Sequence, residues 1–263
     1  MTLFDAIPLW LVFAITVGLI LLAVEGAYWV GIVRARRSEH EREAPIDAMV
    51  GATLGLLAFM LAFTFGMATA RHDTRKKLVV DEAVSIRSAD LRAQLLPEPH
   101  RSEIRALLRE YVDIRSTPQP PDQLQQAIAH SEQLQDLLWA RTASLDPEVS
   151  GAVLGPLAAA LIEVNELHMR RLDAGLHDRI PGTIWTALYC LAVLAMAMMG
   201  YRAGIAGRRS MVATLALVLA FSAVIVLIVD LDRPWESLTK VSQQAMLDLQ
   251  SKLRSPTLAE PPR

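Results

Sequence analysis

Apolar residues fall along the chain in four long blocks, 9–33, 48–70, 180–201 and 211–231. Each is close to the ~20 residues a helix needs to cross the hydrocarbon of a bilayer. One such block is hard to tell from a buried core helix, but four in one short chain read as transmembrane helices. Between the second and third lies a polar stretch, and a tail follows the fourth. The expected class is all-α: four transmembrane helices in a two-plus-two order around a helical extramembrane insert. The expected divisions are 1–70, 71–180, 181–231 and 232–263. No strand pattern and no internal repeat is evident.

The polar stretch keeps helical spacing. Residues 71–96 contain neither Gly nor Pro, and Val79, Ala83, Ile86, Ala93 and Leu96 recur on one face. The second membrane helix is therefore expected to continue outward as a stalk. From 48 to 96 it would be roughly 70 Å long at 1.5 Å per residue, ending at Pro97 and Pro99. A short amphipathic helix over 103–116 follows, with Ile104, Leu107, Leu108, Tyr111 and Val112 on one side. The prolines of "TPQPPD" (117–122) mark a linker, and Asp122 is the expected N-cap of a helix running to about Ala143. Asp146 and Pro147 suit the start of a last polar helix running to about Arg179, with Pro156 a candidate kink. Pro181 and Gly182 form a joint with the third membrane helix, and the tail "SPTLAEPPR" is expected to be disordered.

Composition agrees with a membrane protein: 52% of the 263 residues are hydrophobic, and mean hydropathy is +0.31. The leader "MTLFDAIP" has no Lys or Arg, and the first apolar run is too long for a signal-peptide core, so a retained anchor is expected. Cys190, the single cysteine, leaves no intramolecular disulfide and no thiolate cluster. A net charge of -2 gives no support for nucleic-acid binding. The six histidines, His40, His72, His100, His130, His168 and His177, make no ligand spacing, and His168 and Arg171 read as surface or packing residues. No phosphate loop or nucleophile motif appears. Catalysis, a cofactor and a metal site therefore have no positive support.

The second block carries the most pattern. Ala58, Ala62, Gly66 and Ala70 recur every four residues, a small-residue row of the kind that lets helix backbones approach in lipid. Gly51, Gly55, Phe59 and Phe63 form a row beside it, and Leu54, Leu57, Leu61 and Phe65 a bulky face. The Phe row has two readings. It packs against a neighbouring helix, which composition favours, or it points Phe59 and Phe63 into a central constriction that gates ions by dewetting.

The segment "LGLLAFMLAFTFGMATARHDTRKKLVVDEAVSIRSADLRAQLL" (54–96) resembles the bestrophin-like family of bacterial membrane proteins. So do "GYRAGIAGRRS" (200–210) and "DLDRPWESLTKVS" (230–242). That family is named for its distant similarity to bestrophin anion channels. The resemblance implies a homo-oligomer, a pentamer if bestrophin-like, around a pore necked by the second helix. By position that neck would use Phe59, Phe63 and Gly66 or Met67. The bestrophin calcium clasp follows the fourth helix, where this chain has only Asp230, Asp232 and Glu236, so calcium is not expected. The implied partners are the lipid bilayer, further copies of the chain and inorganic anions. The implied location is the bacterial inner (plasma) membrane.

Charge sets an orientation. Arg34, Arg36, Arg37 and Arg42 in one short loop and Arg202, Arg208 and Arg209 in another place both loops in the cytoplasm and the insert outside. Bestrophins place theirs in the cytosol. Glu25, inside the first block, is either hydrogen-bonded near the interface or lines an ion path. Arg71 and Asp73, with Arg75, Lys76 and Lys77, would form an ion-attracting mouth or an interfacial anchor. Asp81 and Glu82 are adjacent and so face different ways, which excludes a carboxylate dyad. In "DLDRPWE", Arg233 is expected to form a structural ion-pair knot with Asp230 or Asp232, or with Asp81 or Glu82. Two functions fit these residues: an oligomeric anion channel, or a non-conducting sensor or assembly protein whose insert binds a ligand or partner and moves the long helix.

Overall fold

The computed structural model describes residues 7–36, 46–117, 120, 122–233 and 241–255. Among them are eight helices and no strand: α1 (Leu9–Ala35), α2 (Ile46–Ala93), α3 (His100–Ser116), α4 (Leu124–Ala143), α5 (Pro147–Leu176), α6 (Gly182–Ala206), α7 (Met211–Asp232) and α8 (Gln244–Arg254). Helices α1, α2, α6 and α7 are long and apolar enough to cross a membrane. The chain divides into two compact units. One comprises Met1–His72 and Arg179–Lys240, the other Asp73–Asp178 and Val241–Arg263.

The predicted helix ends hold to within about five residues. Helix α2 is one uninterrupted run of 48 residues, and Pro156 sits inside α5. Helix α4 starts at Leu124 with Gln123, not Asp122, at its N-cap. Much of the proline linker and the segment 234–240, with Pro234, Trp235 and Glu236, lies outside the described residues, as do Arg37, His40 and Arg42. Helix α8 is new, since the sequence pattern after the fourth block did not suggest a helix.

The membrane unit is held by two kinds of contact. Leu57, Leu61 and Ala68 of α2 are buried with Trp185, Leu188, Ala192 and Ala195 of α6 and Ile225 and Ile228 of α7. Helices α1 and α6 approach more closely, through glycines. A Cβ at Gly200 would land on the carbonyl of Val24, one at Gly204 on that of Tyr28, and one at Gly31 on that of Tyr201. Small residues allow this approach, and close packing is what holds helices together where lipid removes the hydrophobic drive. Thr16 and Tyr189 share a hydrogen bond of 3.0 Å between the same two helices, so neither hydroxyl is left unsatisfied in an apolar surround. Gly207 closes α6 in the left-handed conformation at φ +62°, which a residue with a Cβ adopts only at a cost. Ser210 then caps α7 by accepting from the Ala213 amide at 3.3 Å.

The second unit is water-type packing. Its core joins Val79, Ala83, Ile86, Ala89 and Ala93 of α2 to Ile104 and Leu108 of α3, Leu134 and Leu138 of α4, and Leu157 and Val164 of α5. Met246, Leu249 and Leu253 of α8 complete it. Their spacing of three and four is that of one helical face, and Arg109 fixes the helix end by donating to the Leu253 carbonyl at 3.0 Å.

Candidate functional site

On α2 the face that packs within the chain is Leu57, Leu61, Thr64 and Ala68. The small-residue row predicted as a helix contact, Ala58, Ala62, Gly66 and Ala70, lies exposed on the chain's own surface. Phe59 and Phe63 are 65% and 56% exposed, with Gly51 and Gly55 also outward. A Cβ at Gly51, Gly55 or Gly66 would meet nothing within 4 Å. Phe65, which the spacing puts on the bulky face with Leu54, Leu57 and Leu61, is exposed as well. Thus the two rows singled out by sequence form one bare face, and the chain's own helix contacts run along the other side.

Beyond the apolar span the outward row continues in register. Counting sevens from Phe63 reaches Ala70, Lys77, Val84 and Leu91, and from Phe59 reaches Gly66, Asp73 and Val80. Val80, Val84, Leu91 and Leu95 are 45% to 70% exposed. Lys76, Lys77 and Asp73 are exposed, Arg71 and Asp81 are half-buried, and Arg75 is buried.

The inward side of the same stretch carries a feature that sequence did not reveal. Glu82 is fully buried and is gripped by two guanidinium groups. Arg115 donates to it at 3.0 and 3.3 Å, and Arg171 at 2.6 Å. Tyr111 donates its hydroxyl to Glu82 at 2.8 Å and lies 3.1 Å from His168 Nδ1. Gln135 donates to the Tyr111 oxygen at 3.1 Å, and Arg171 also donates to Gln243 Oε1 at 2.7 Å. One carboxylate thus ties α2, α3, α5 and the segment leading into α8, with α4 joined through Tyr111. His168 is not a surface residue: it is fully buried, and Arg171 points its charge into this hub. Glu82 lies beyond the apolar part of α2. Burial opposes its ionisation, but the charges and hydrogen bonds of Arg115 and Arg171 outweigh that and bring its pKa down to about 2. Burial, reinforced by Arg115, lowers His168 to about 4, so its ring is neutral at pH 7. Burial raises the Tyr111 hydroxyl, which stays protonated and able to donate.

A second buried acid, Asp90, is held by Arg87, Arg105 and Gln94, each at 2.8 Å. Near the joint after α7, Asp232 accepts from the Ile180 amide at 3.1 Å and lies 3.9 Å from Arg71, while its carbonyl accepts from Arg179 at 2.7 Å. Arg233 donates to the Ile7 carbonyl at 2.6 Å. Asp230 is buried beside them. Glu25 makes a two-pronged ion pair with Arg209, whose guanidinium lies 5.0 Å above the Tyr28 ring. Arg202 pairs with Asp47 in the same manner.

Helices α4 and α5 also enclose a groove of about 660 Å³. No group of three or more His, Cys, Asp or Glu placed to hold a metal occurs among the described residues.

Compared with known proteins, the chain matches the bestrophin-like domain family over residues 12–246. No curated protein and no solved structure matches it. That match spans the apolar helices and most of the insert, so this membrane protein belongs to the bestrophin-like family.

Proposed function

We propose that this protein is an oligomeric ion channel, selective for anions, in which copies of α2 surround the conduction path. The observation that carries this reading is the outward face of α2. Inside the apolar span an exposed Phe is at home in lipid. Val80, Val84 and Leu91 stand past that span, where water would meet them, yet they keep the seven-residue register of Phe59 and Phe63. A seam on a 3.5-residue period, here apolar except at Asp73, Lys77 and Arg87, is the pattern of helices that associate side by side with their own kind. In such a ring, which would be a pentamer if the bestrophin plan holds, Phe59, Phe63 and Gly66 form the constriction. Ala58, Ala62 and Ala70 let neighbouring backbones approach. Exposed Lys76 and Lys77, with the Arg71–Asp73 turn, supply the potential that draws anions to the mouth. The arginines of the two short loops place those loops in the cytoplasm and the insert outside the bacterial inner membrane. The knot around Asp232 and Arg233 and the Glu25–Arg209 pair serve structure. No catalysis and no cofactor enter this mechanism.

The test is ion flux through purified protein in liposomes, with chloride and potassium gradients measured separately. Selective chloride flux that rises in the Phe59→Ala, Phe63→Ala double variant is the expected result. Unchanged flux in that variant excludes the gate, and a monomer or dimer in the membrane excludes the channel. A second reading, a non-conducting sensor, draws on the Glu82 hub, which links α2 to every other helix described in the insert. Folded, inserted, ring-forming protein that carries no ion would favour it.

A further inference from the structure

The groove between α4 and α5 has a composition of its own. One wall is Glu132, Asp136 and Trp139 of α4, the other Ile162 and Met169 of α5, with Gln135 at the side. At about 660 Å³ it falls in the size range of small-molecule sites, and like them it is mainly apolar with a few polar groups. Trp139, Ile162 and Met169 leave about half of their surface open, at 49%, 48% and 55%. Glu132 and Asp136 sit four residues apart, so their carboxylates share one helix face, an arrangement that repels and weakens a helix. Among the described residues neither has an ion-pair partner, and no Lys or Arg lines the groove. Elsewhere in the insert the buried acids, Glu82 and Asp90, are matched by arginines. Glu132 and Asp136, exposed and without an ion-pair partner, stand beside an open indole and a thioether and leave the groove with two uncompensated negative charges. An indole face attracts an organic cation, and the acids add Coulomb attraction without demanding a bare metal ion's oxygen shell.

We propose that the α4–α5 groove binds a small organic cation with an apolar body, its charge between Glu132, Asp136 and the Trp139 ring. This goes beyond the channel reading and does not depend on it. Gln135, which lines the groove, donates to the Tyr111 hydroxyl of the hub, so an occupant sits one hydrogen bond from the network that holds α2.

The experiment is calorimetric titration of the full-length purified protein with benzyltrimethylammonium, with tetramethylammonium as the cation lacking an apolar body. Saturable binding of the first is expected, with tetramethylammonium weaker. Glu132→Gln with Asp136→Asn should weaken it about fivefold or more, on the scale of two exposed ion pairs. Trp139→Leu, made separately, should weaken it about threefold or more. All changed residues are surface-exposed, and unaltered melting temperatures confirm folding. Absence of saturable binding, or equal binding by the acid-neutralised and native proteins, overturns the proposal. So does cross-linking between chains through Trp139→Cys in a Cys190→Ser background, since a second copy would then cover the groove.

Discussion

The two compact units solve the same problem, holding helices together, with opposite chemistry. In the membrane unit α1 and α6 meet through Gly31, Gly200 and Gly204, and a methyl group at any of them would collide with backbone. In the insert the helices meet through Leu, Ile and Tyr side chains around buried, paired charges. The difference follows from the surround. Lipid tails are as apolar as Leu, so burial of Leu gains little there and close approach decides. Water rewards burial of Leu directly, at roughly 25 cal/mol per Å². It also makes an embedded charge expensive, so Glu82 and Asp90 are kept only with full sets of donors. Helix α2 belongs to both units and changes its inner face accordingly, from Leu57, Leu61 and Ala68 to Ala83, Ile86 and Asp90.

The sharpest way to break this contrast is at the hub. Glu82→Gln would leave Arg115 and Arg171 buried with no counter-charge, a loss of about 3–5 kcal/mol for a buried pair cut on one side. The expected result is an insert that is cleaved by protease at temperatures where the native protein resists. A melting curve unmoved by this change would mean that the hub is solvated and the contrast false.

Acid attacks the same unit next. Glu82 has its pKa depressed to about 2, so its stabilising contribution is present above the unfolded value of 4.5 and declines as pH falls below it. His168, lowered to about 4, is neutral when folded but takes up a proton when unfolded below about pH 6.5. Its effect has the same sign: stability falls as pH drops from about 6.5 towards 4. At about 1.4 kcal/mol per pKa unit the His168 contribution alone amounts to a few kcal/mol. Melting measured at pH 7, 5.5 and 4.5 should therefore decrease stepwise, and His168→Gln should flatten the upper part of that slope.

A third pair of changes probes the membrane unit. Gly204→Ala places a methyl on the Tyr28 carbonyl and is expected to cost about 1–3 kcal/mol through overpacking. Gly66→Ala meets nothing in the chain, and the fold should gain up to about 1 kcal/mol of helix stability. If α2 lines a path shared by several copies, Gly66→Ala alters ion flux while the melting temperature holds, which separates the face used within the chain from the face used between chains. The smallest effect is expected for Glu25→Gln. Its pair with Arg209 is 40% and 20% exposed at the two side chains, so about 1 kcal/mol or less is at stake. A much larger drop would show that Glu25 belongs with the buried acids of the insert.

How far the site could be read from the sequence differs between the two faces of α2. The Phe and small-residue rows are a matter of spacing, and spacing is visible in a string of letters. That they stand bare on one chain is not, because exposure depends on where α6 and α7 lie. The hub was hidden for a related reason. Glu82, Arg115 and Arg171 are separated by tens of residues, and each looks like an ordinary charged position on an amphipathic helix. Tyr111 gave the one available signal, a phenol in the middle of an apolar face, since a buried hydroxyl needs a partner. The glycines of α1 and α6 could have been noticed as small residues in apolar helices, yet nothing local says that they meet.

By itself the sequence determined seven of the eight described helices to within a few residues, which four are apolar enough for a membrane, and that the second runs unbroken far past its apolar part. These follow from local chemistry: runs of apolar side chains, helical periodicity, and Pro or Gly at the ends. Tertiary structure alone decided that α8 joins the insert's core, that Asp232 caps the approach to α6, and that one buried carboxylate gathers two arginines from two helices. Those outcomes depend on distances between residues far apart in the chain, and such distances exist only once the helices have packed.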